Sequence, residues 1–488
     1  MPNPHSTLLF LLIFGLLLVA CDPGADAADE SVHDLVILDG RVIDPESELD
    51  EVHNVGITDG RIVRVTGEAI AGRDTIPAEG LMVAPGFIDM HSHGQNQENY
   101  PFNAVDGVTT ALELEVGTAD VDGWYREREG NALINHGVSV GHIPIRIQLM
   151  DDPSDFLPSG PAVDTEASDQ EIAVIGGRIR DGLAQGALGV GFGLQYTPAA
   201  SRWEVLESFR AAAEHGAPAF VHMRYMGDRD PEGSVAALQE VLAASAITGT
   251  PLHIHHVHSM GIGATEQLLQ MVSEAREQDL DVTAEVYPYV AAMTSIESAI
   301  LDEGWQEILG ADYEDLEWAA TGERLTAESF QRYRTEGGGV IMHFIPESAK
   351  HAALRHPWVV VASDGRLRDG VGHPRSAGTF SRVLGRFVRE EGILEWSEAI
   401  RKMSTLPAQR LQGHSPAFAA KGRVQEGADA DLVVFDPAEI IDRATFEEPA
   451  TFSRGMQWVL VHGVPVVRDG VLQDDVRPGR GVRGPAND

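Results

Sequence analysis

Cysteine and lysine are almost missing from this chain of 488 residues: Cys21 is its one cysteine, and Lys350, Lys402 and Lys421 are its only lysines. With a single thiol no intrachain disulfide can form. Positive charge is scarce altogether, 36 Lys and Arg against 75 Asp and Glu. The resulting formal net charge of -39 excludes nucleic acid as a partner, because affinity for a phosphate backbone comes from clustered Lys and Arg. An anionic substrate would have to be captured by a few local arginines working against the overall field. No internal repeat with a period of roughly 20–50 residues is visible beyond an alternation of strand-like and helix-like stretches, so no solenoid is indicated.

What is present is the composition of a globular protein, 43% hydrophobic, in a chain too long for one compact core. One large catalytic domain plus a smaller unit is expected. At the N-terminus the apolar run Leu8–Ala20 has the length of a signal-peptide core and is too short to read as a membrane span. It ends in Leu18-Val19-Ala20-Cys21, which resembles the bacterial lipobox, whose cysteine is lipidated and becomes the new N-terminus. The positive segment that usually precedes such a core is absent, the first basic side chain being Arg41. The expectation is an exported lipoprotein of the periplasm or cell envelope, touching a membrane only through lipid on Cys21. A plain cleaved signal or an uncleaved anchor is the alternative.

Residues 1–21 are thus expected to be a signal peptide with lipobox, and 22–32, small and acidic, a flexible tether. Short alternating segments follow in 33–83, with Asp39-Gly40 and Asp59-Gly60 as hairpin signals. The same texture returns in "ADLVVFDP" and "WVLVHGVPVVRDGVL". A small β-sandwich built from both chain ends, 33–83 and 406–488, is expected to flank the central domain, 84–405. There, apolar runs alternate with helix-like stretches: Leu81–His91, Val108–Val116, Val138–Leu149, Ala187–Leu194, Ala219–Arg224, Leu252–Val257, Leu280–Val286 and Trp358–Asp364. Eight runs in an α/β pattern fit a TIM-type (β/α)8 barrel, with Val340–Phe344 as part of an insertion.

Active sites of such barrels lie at the C-terminal strand ends. The first run ends in "GFIDMHSHG", which puts His91 and His93 on one side of a strand, a spacing that suits a divalent metal. The fifth run offers His222, and the sixth offers His253, His255, His256 and His258. If Ile254 faces the barrel interior, His256 and His258 share that side, and His253 and His255 pack or hydrogen-bond among the helices. The eighth run closes with Asp364, a buried acid that is costly unless paired or metal-bound. On the second run Glu113 and Glu115 share a face; Glu115 lies nearer the C-terminal end and is the preferred ligand.

Histidines on the first, fifth and sixth runs with an aspartate on the eighth resemble the amidohydrolase superfamily. In many members a carboxylated lysine on strand four bridges two metals; no lysine precedes Lys350 here, so that bridge is excluded. The segments "DVTAEVYPYVA", "SDGRLRDGVGHPRSAGTFSRVLGRFVRE", "MSTLPAQRL", "GADADLVVFDP", "GALGVGFGLQYTP" and "VHMR" are similar to the N-acyl-D-amino-acid deacylase (D-aminoacylase) family over essentially the whole mature chain. That resemblance implies zinc held by a strand-two cysteine with His222 and His256; the cysteine is missing here, which leaves one or two zinc ions open. It also implies a strand-six lysine at the substrate carboxylate, where this chain has His258, a weaker anion ligand when neutral. Arg375, Tyr287, Tyr196 and Arg224 are the remaining carboxylate candidates, Arg375 first because its planar fork matches a carboxylate. His142 and Arg146 are expected to support the site from the third run.

The expected activity is hydrolysis of an N-acyl amino acid, of D configuration by the resemblance. Metal on His91, His93, Glu115, His222 and His256 activates water, and Asp364 moves the proton. A dipeptide or cyclic amide is the alternative substrate, and a non-catalytic exported binding lipoprotein the alternative of another class.

Overall fold

The computed structural model describes residues 32–228 and 232–486. The apolar run, the lipobox and Cys21 lie outside the described residues.

Eight parallel strands form the central sheet in sequence order: Phe87–Asp89, Val108–Thr118, Asn135–Gly141, Val190–Gly193, Ala219–His222, Leu252–Ile254, Val282–Val286 and Val359–Val361. Each lies in or overlaps one of the eight apolar runs. The first and eighth strands close the barrel by a parallel bridge, Ser92 to Gly365, reinforced by the Asp364 N–H to the His91 carbonyl at 2.7 Å. Two apolar layers follow from the alternation of side chains across the sheet. Ile88, Met90, Leu112, Leu114, Leu188, Phe220 and Val360 fill the interior over Leu411 and Phe418. Val221, Ile254, Ala284 and Val361 point outward against helix residues such as Phe209, Val241 and Leu268.

The third run divides. Its strand stops at Gly141, and His142–Leu149 is a helix with Pro144 in its first turn. His142 and Arg146 therefore stand one helical turn apart. Both are spent on Glu204, at 2.8 and 2.7 Å, and not on the catalytic mouth. The connection after the seventh strand carries a separate four-stranded sheet, Ala292–Ser295, Leu316–Trp318, Glu323–Arg324 and Gly339–Met342, so Val340–Phe344 is insertion as expected.

Both chain ends build one nine-stranded sheet, joined where Met82–Pro85 pairs antiparallel with Leu432–Phe435. Its apolar side, with Ile37, Val42, Val55, Ile57, Val83, Val434 and Leu460, forms a core of its own. Asp59-Gly60 is a hairpin turn with positive φ at both residues, 51° and 73°. Asp39-Gly40 is not: it is a bulge inside the continuous strand His33–Asp44. Val83 crosses so closely there that a Cβ on Gly40 would stand 2.5 Å from its Cγ2.

A buried ion network ties this sheet to the barrel. Lys421 Nζ reaches Asp431 at 2.6 Å and Asp429 at 2.9 Å, and Asp431 also accepts from Asn135 of the third barrel strand at 2.9 Å. Replacing Lys421 with Met leaves buried Asp431 without its cation and Asp429 with Arg61 alone, at 2.8 Å. A loss of about 3–5 kcal/mol is expected, read as a lower urea midpoint; an unchanged midpoint would show that the network holds nothing together.

Candidate metal centre

Strand ends set the site. Asp89 closes the first strand, and its carboxylate accepts from the His91 N–H at 3.1 Å and from the Ser363 N–H and Oγ at 3.0 and 2.5 Å. Burial pushes the Asp89 carboxyl up to about 6 against those bonds. It fastens the strand that carries His91 and His93 to the one that carries Asp364. Two non-glycine residues here hold positive φ, His256 at 28° and Asp364 at 52°. They lie two and three residues beyond the ends of the sixth and eighth strands, and the unusual backbone turns their side chains into the barrel mouth.

Glu115 is the centre of the cluster. Its carboxylate lies 2.7 Å from His91 Nε2, 3.1 Å from His222 Nδ1 and 3.5 Å from His256 Nε2. His91 Nε2 and His93 Nε2 face each other at 3.1 Å, with Asp364 Oδ1 at 3.5 and 3.4 Å from them. Four overlapping sets offer ligand atoms within 4.8 Å of one another: His91, His93 and Glu115; Glu115, His222 and His256; His91, His256 and Asp364; and His91, His255 and Glu285. All five ligands named from the sequence are thus brought together with Asp364. Glu113 is the other carboxylate of its strand, and it accepts from His93 Nδ1 at 2.7 Å and from the Val116 N–H.

The second nitrogen of three of the four rings shows how this set fits a cation, while His256 Nδ1 is buried without a partner. His91 Nδ1 is held by Glu285 at 2.5 Å, His93 Nδ1 by Glu113, and His222 Nε2 by Gln195 at 3.0 Å. In all three, one nitrogen is engaged outward and the other points to the common centre, the arrangement that fixes the tautomer of a metal-ligating imidazole. Without a cation the acids balance their charge on the rings. Burial disfavours a charged His93, but Glu113 and Asp364 outweigh it and push the ring up to about 9. Burial would likewise raise Asp364, but Arg375 and His91 hold it well below the usual carboxylate range.

Glu285 is the residue that sequence reasoning missed, and with it the parity of the sixth strand. Ile254 packs outward, so His253 and His255 face the interior. They reach Glu285 at 3.0 and 2.9 Å, buried and hydrogen-bonded as expected but inside the barrel rather than among the helices. His256 reaches the cluster because its positive φ breaks the strand's alternation. Glu285 and Thr283 shared a face with two strand-six histidines in sequence, a signal that the outward assignment of His253 concealed.

A cavity of about 370 Å³ opens over the cluster, lined by His93, Glu115, His256 and Asp364. One wall comes from the insertion, with Met293, Thr294, Trp318 and Gly339. Of the carboxylate candidates, Arg375 and Tyr196 line this cavity. Arg375 Nη2 meets Asp364 at 3.0 Å, while its buried Nε and Nη1 have no hydrogen-bond partner. Tyr287 does not line the cavity; its ring lies beneath Arg375, 4.6 Å from the guanidinium carbon. His258 does not line it either and packs edge-on to Tyr287 at 4.2 Å. Arg224 is also outside, its guanidinium taken by Glu240 at 2.8 and 3.0 Å and by the Pro198 carbonyl. A guanidinium already paired in this way has no edge left for substrate.

Comparison with known proteins agrees with this geometry. The amidohydrolase family model matches residues 74–288 and 264–467. The D-aminoacylase of Alcaligenes xylosoxydans xylosoxydans is 30% identical, over 90% of this chain and 95% of that protein. The N-acyl-D-glutamate deacylase of the same organism is also 30% identical, over 92% and 96%. Among solved structures, the N-acyl-D-glutamate deacylase from Bordetella bronchiseptica, complexed with zinc and a phosphonate inhibitor that mimics the tetrahedral intermediate, superposes with a TM-score of 0.79. It is 28% identical and covers 93% of this chain and 100% of its own.

Ligand binding to the native state stabilises it by mass action, about 2.7 kcal/mol at a hundred times Kd. Adding a divalent cation to chelator-treated protein is expected to raise the melting temperature. Glu115→Gln, which touches both imidazole sets, is expected to lose most of that rise. A melting temperature indifferent to zinc in the wild-type protein would remove the metal assignment.

Proposed function

The chain belongs to the amidohydrolase family, in its D-aminoacylase branch, and from that premise we propose that it hydrolyses N-acyl-D-amino acids to a carboxylic acid and a free amino acid. The observation that carries this is the convergence of His91, His93, Glu115, His222, His256 and Asp364 at the floor of one cavity that also exposes Arg375. The D configuration rests on the relatives.

His91, His93, Glu115, His222 and His256 would hold the divalent metal, and zinc is the choice because imidazole and carboxylate suit it and the Bordetella neighbour contains it. Bound there, it supplies Lewis acidity toward a carbonyl and an attacking water. The other tasks fall to side chains. Asp364, kept ionised by Arg375, accepts the proton of the attacking water and passes it to the departing amine nitrogen. Arg375, which lines the cavity and is held at one nitrogen by Asp364, is the anchor for the substrate α-carboxylate, which sets the scissile amide beside Asp364. Tyr287 braces that guanidinium through its ring face. Glu285 and Glu113 keep His91 and His93 oriented. Export as a lipoprotein remains part of the proposal and rests on the Leu8–Cys21 sequence.

Asp364→Asn is expected to keep its metal, measured by elemental analysis, and to lose kcat by about 10²–10⁴-fold. Full activity in that variant would refute the proton-transfer role. A panel of N-acetyl-D- and N-acetyl-L-amino acids beside dipeptides tests the substrate: turnover confined to L forms or to dipeptides would replace the present assignment.

A further inference from the structure

The segment that follows the eighth barrel strand adds more cations to the cavity than one carboxylate requires. Arg366 and Arg368 flank buried Leu367 in the stretch just after Asp364, and all three polar residues line the cavity. The stretch is pinned at four points. Arg366 N–H donates to Ser376 Oγ at 2.9 Å, Leu367 exchanges two bonds with the Asn99 amide at 2.7 and 3.0 Å, and Gly370 N–H donates to Glu98 at 2.8 Å. The Arg366 guanidinium lies 4.4 Å over the face of Phe156, whose ring in turn meets His93 edge-on at 5.3 Å. Phe156 therefore spans from the metal ligands to Arg366.

Neither Arg366 nor Arg368 has an ion pair among the described residues, in a chain with 75 acids to 36 bases. Asp369 lines the same wall without bonding to either. Burial and then the neighbouring Arg368 both weigh against the charge on Arg366, and Glu113, Asp155 and Glu98 offset this only from a distance. Two neighbouring guanidiniums, Arg366 partly out of water and Arg368 exposed at the rim, repel each other until an anion lies between them. Arg375 is a separate site, in contact with Asp364 and Tyr287.

We infer that the preferred substrate carries a second carboxylate, distinct from the one at Arg375, and that Arg366 and Arg368 bind it. This rests on the N-acyl-amino-acid activity proposed above. The second acid belongs either to the amino-acid side chain or to the acyl group, and both present the same chemistry to the arginines.

The test uses the metal-loaded full chain and pairs of substrates that differ only in that charge. N-acetyl-D-glutamate against N-acetyl-D-glutamine places it on the side chain; N-succinyl-D-alanine against its terminal amide places it on the acyl group. In one pair kcat/KM is expected to favour the acid by about tenfold or more, a preference that added salt narrows. The Arg366→Gln/Arg368→Gln double variant should bring that ratio close to one. The single variant Arg368→Gln, at an exposed position, should reduce it with less risk to folding. Equal turnover within both pairs, or a preference that survives the double substitution, overturns the inference and leaves the deacylase activity standing. Calorimetry with glutarate against butyrate reads the same arginines without turnover. Tighter glutarate binding that the double variant loses supports the inference even if no substrate is cleaved. Absence of both turnover and glutarate preference overturns both proposals.

Discussion

Four carboxylates share one barrel mouth, Glu113, Glu115 and Glu285 buried and Asp364 at the cavity floor, and their charge has to be balanced inside it. Burying one ionised acid without a partner is prohibitive, and gathering four multiplies the problem. The surrounding architecture answers that constraint. Imidazoles from the first, fifth and sixth strands enter from one side, and Arg375 from the helix after the eighth strand enters from the other. His91, His93 and His222 are doubly bound, outward to an acid or amide and inward to the centre, so a small shift of their strands would strand a charge. Closure of the barrel between His91 and Asp364 is therefore part of the electrostatics as much as of the fold.

How far this was visible in the amino-acid order depends on the length of each element. The runs that contain or overlap the barrel strands could be counted because buried parallel strands are continuous apolar stretches. The pair His91 and His93 and the terminal Asp364 could be placed because a strand end is where such a barrel exposes chemistry. Parity failed on the sixth strand, which has only three residues, Leu252–Ile254, too few to reveal which face is inside. His256 was chosen correctly as a member of the cluster although the premise, Ile254 facing inward, was reversed; a positive φ that no pattern announces redirects it. Arg224 and His258 were plausible by type and position, but their partners, Glu240 and Tyr287, come from elements distant in sequence or from ring packing that spacing does not encode. Glu285 went unnoticed for the same reason: its three imidazole partners lie on two other strands.

The cavity walls divide the labour of the site. The floor is made by strand ends, which are held on both sides by neighbouring strands and vary little in position. One wall is an inserted sheet, and another is the extended stretch after the eighth strand. Loops on a fixed barrel are how such folds change substrate without changing chemistry. Here the inserted wall is apolar at Met293 and Trp318, and the stretch after Asp364 is basic. A molecule entering the cavity thus meets an apolar wall and a basic one above the histidine and carboxylate floor.

The seam of the small sheet has its own implication for biogenesis. Met82–Pro85 pairs along one edge with Arg41 and Val42, but along the other it finds its neighbour in Leu432–Phe435, on the far side of the entire barrel sequence. A ribosome needs on the order of tens of seconds to make the intervening chain. Throughout that interval the nascent protein carries a fully apolar strand with one open edge, the kind of surface on which chains associate wrongly. The late strands thus seal an edge that stays open until the whole barrel sequence has been made.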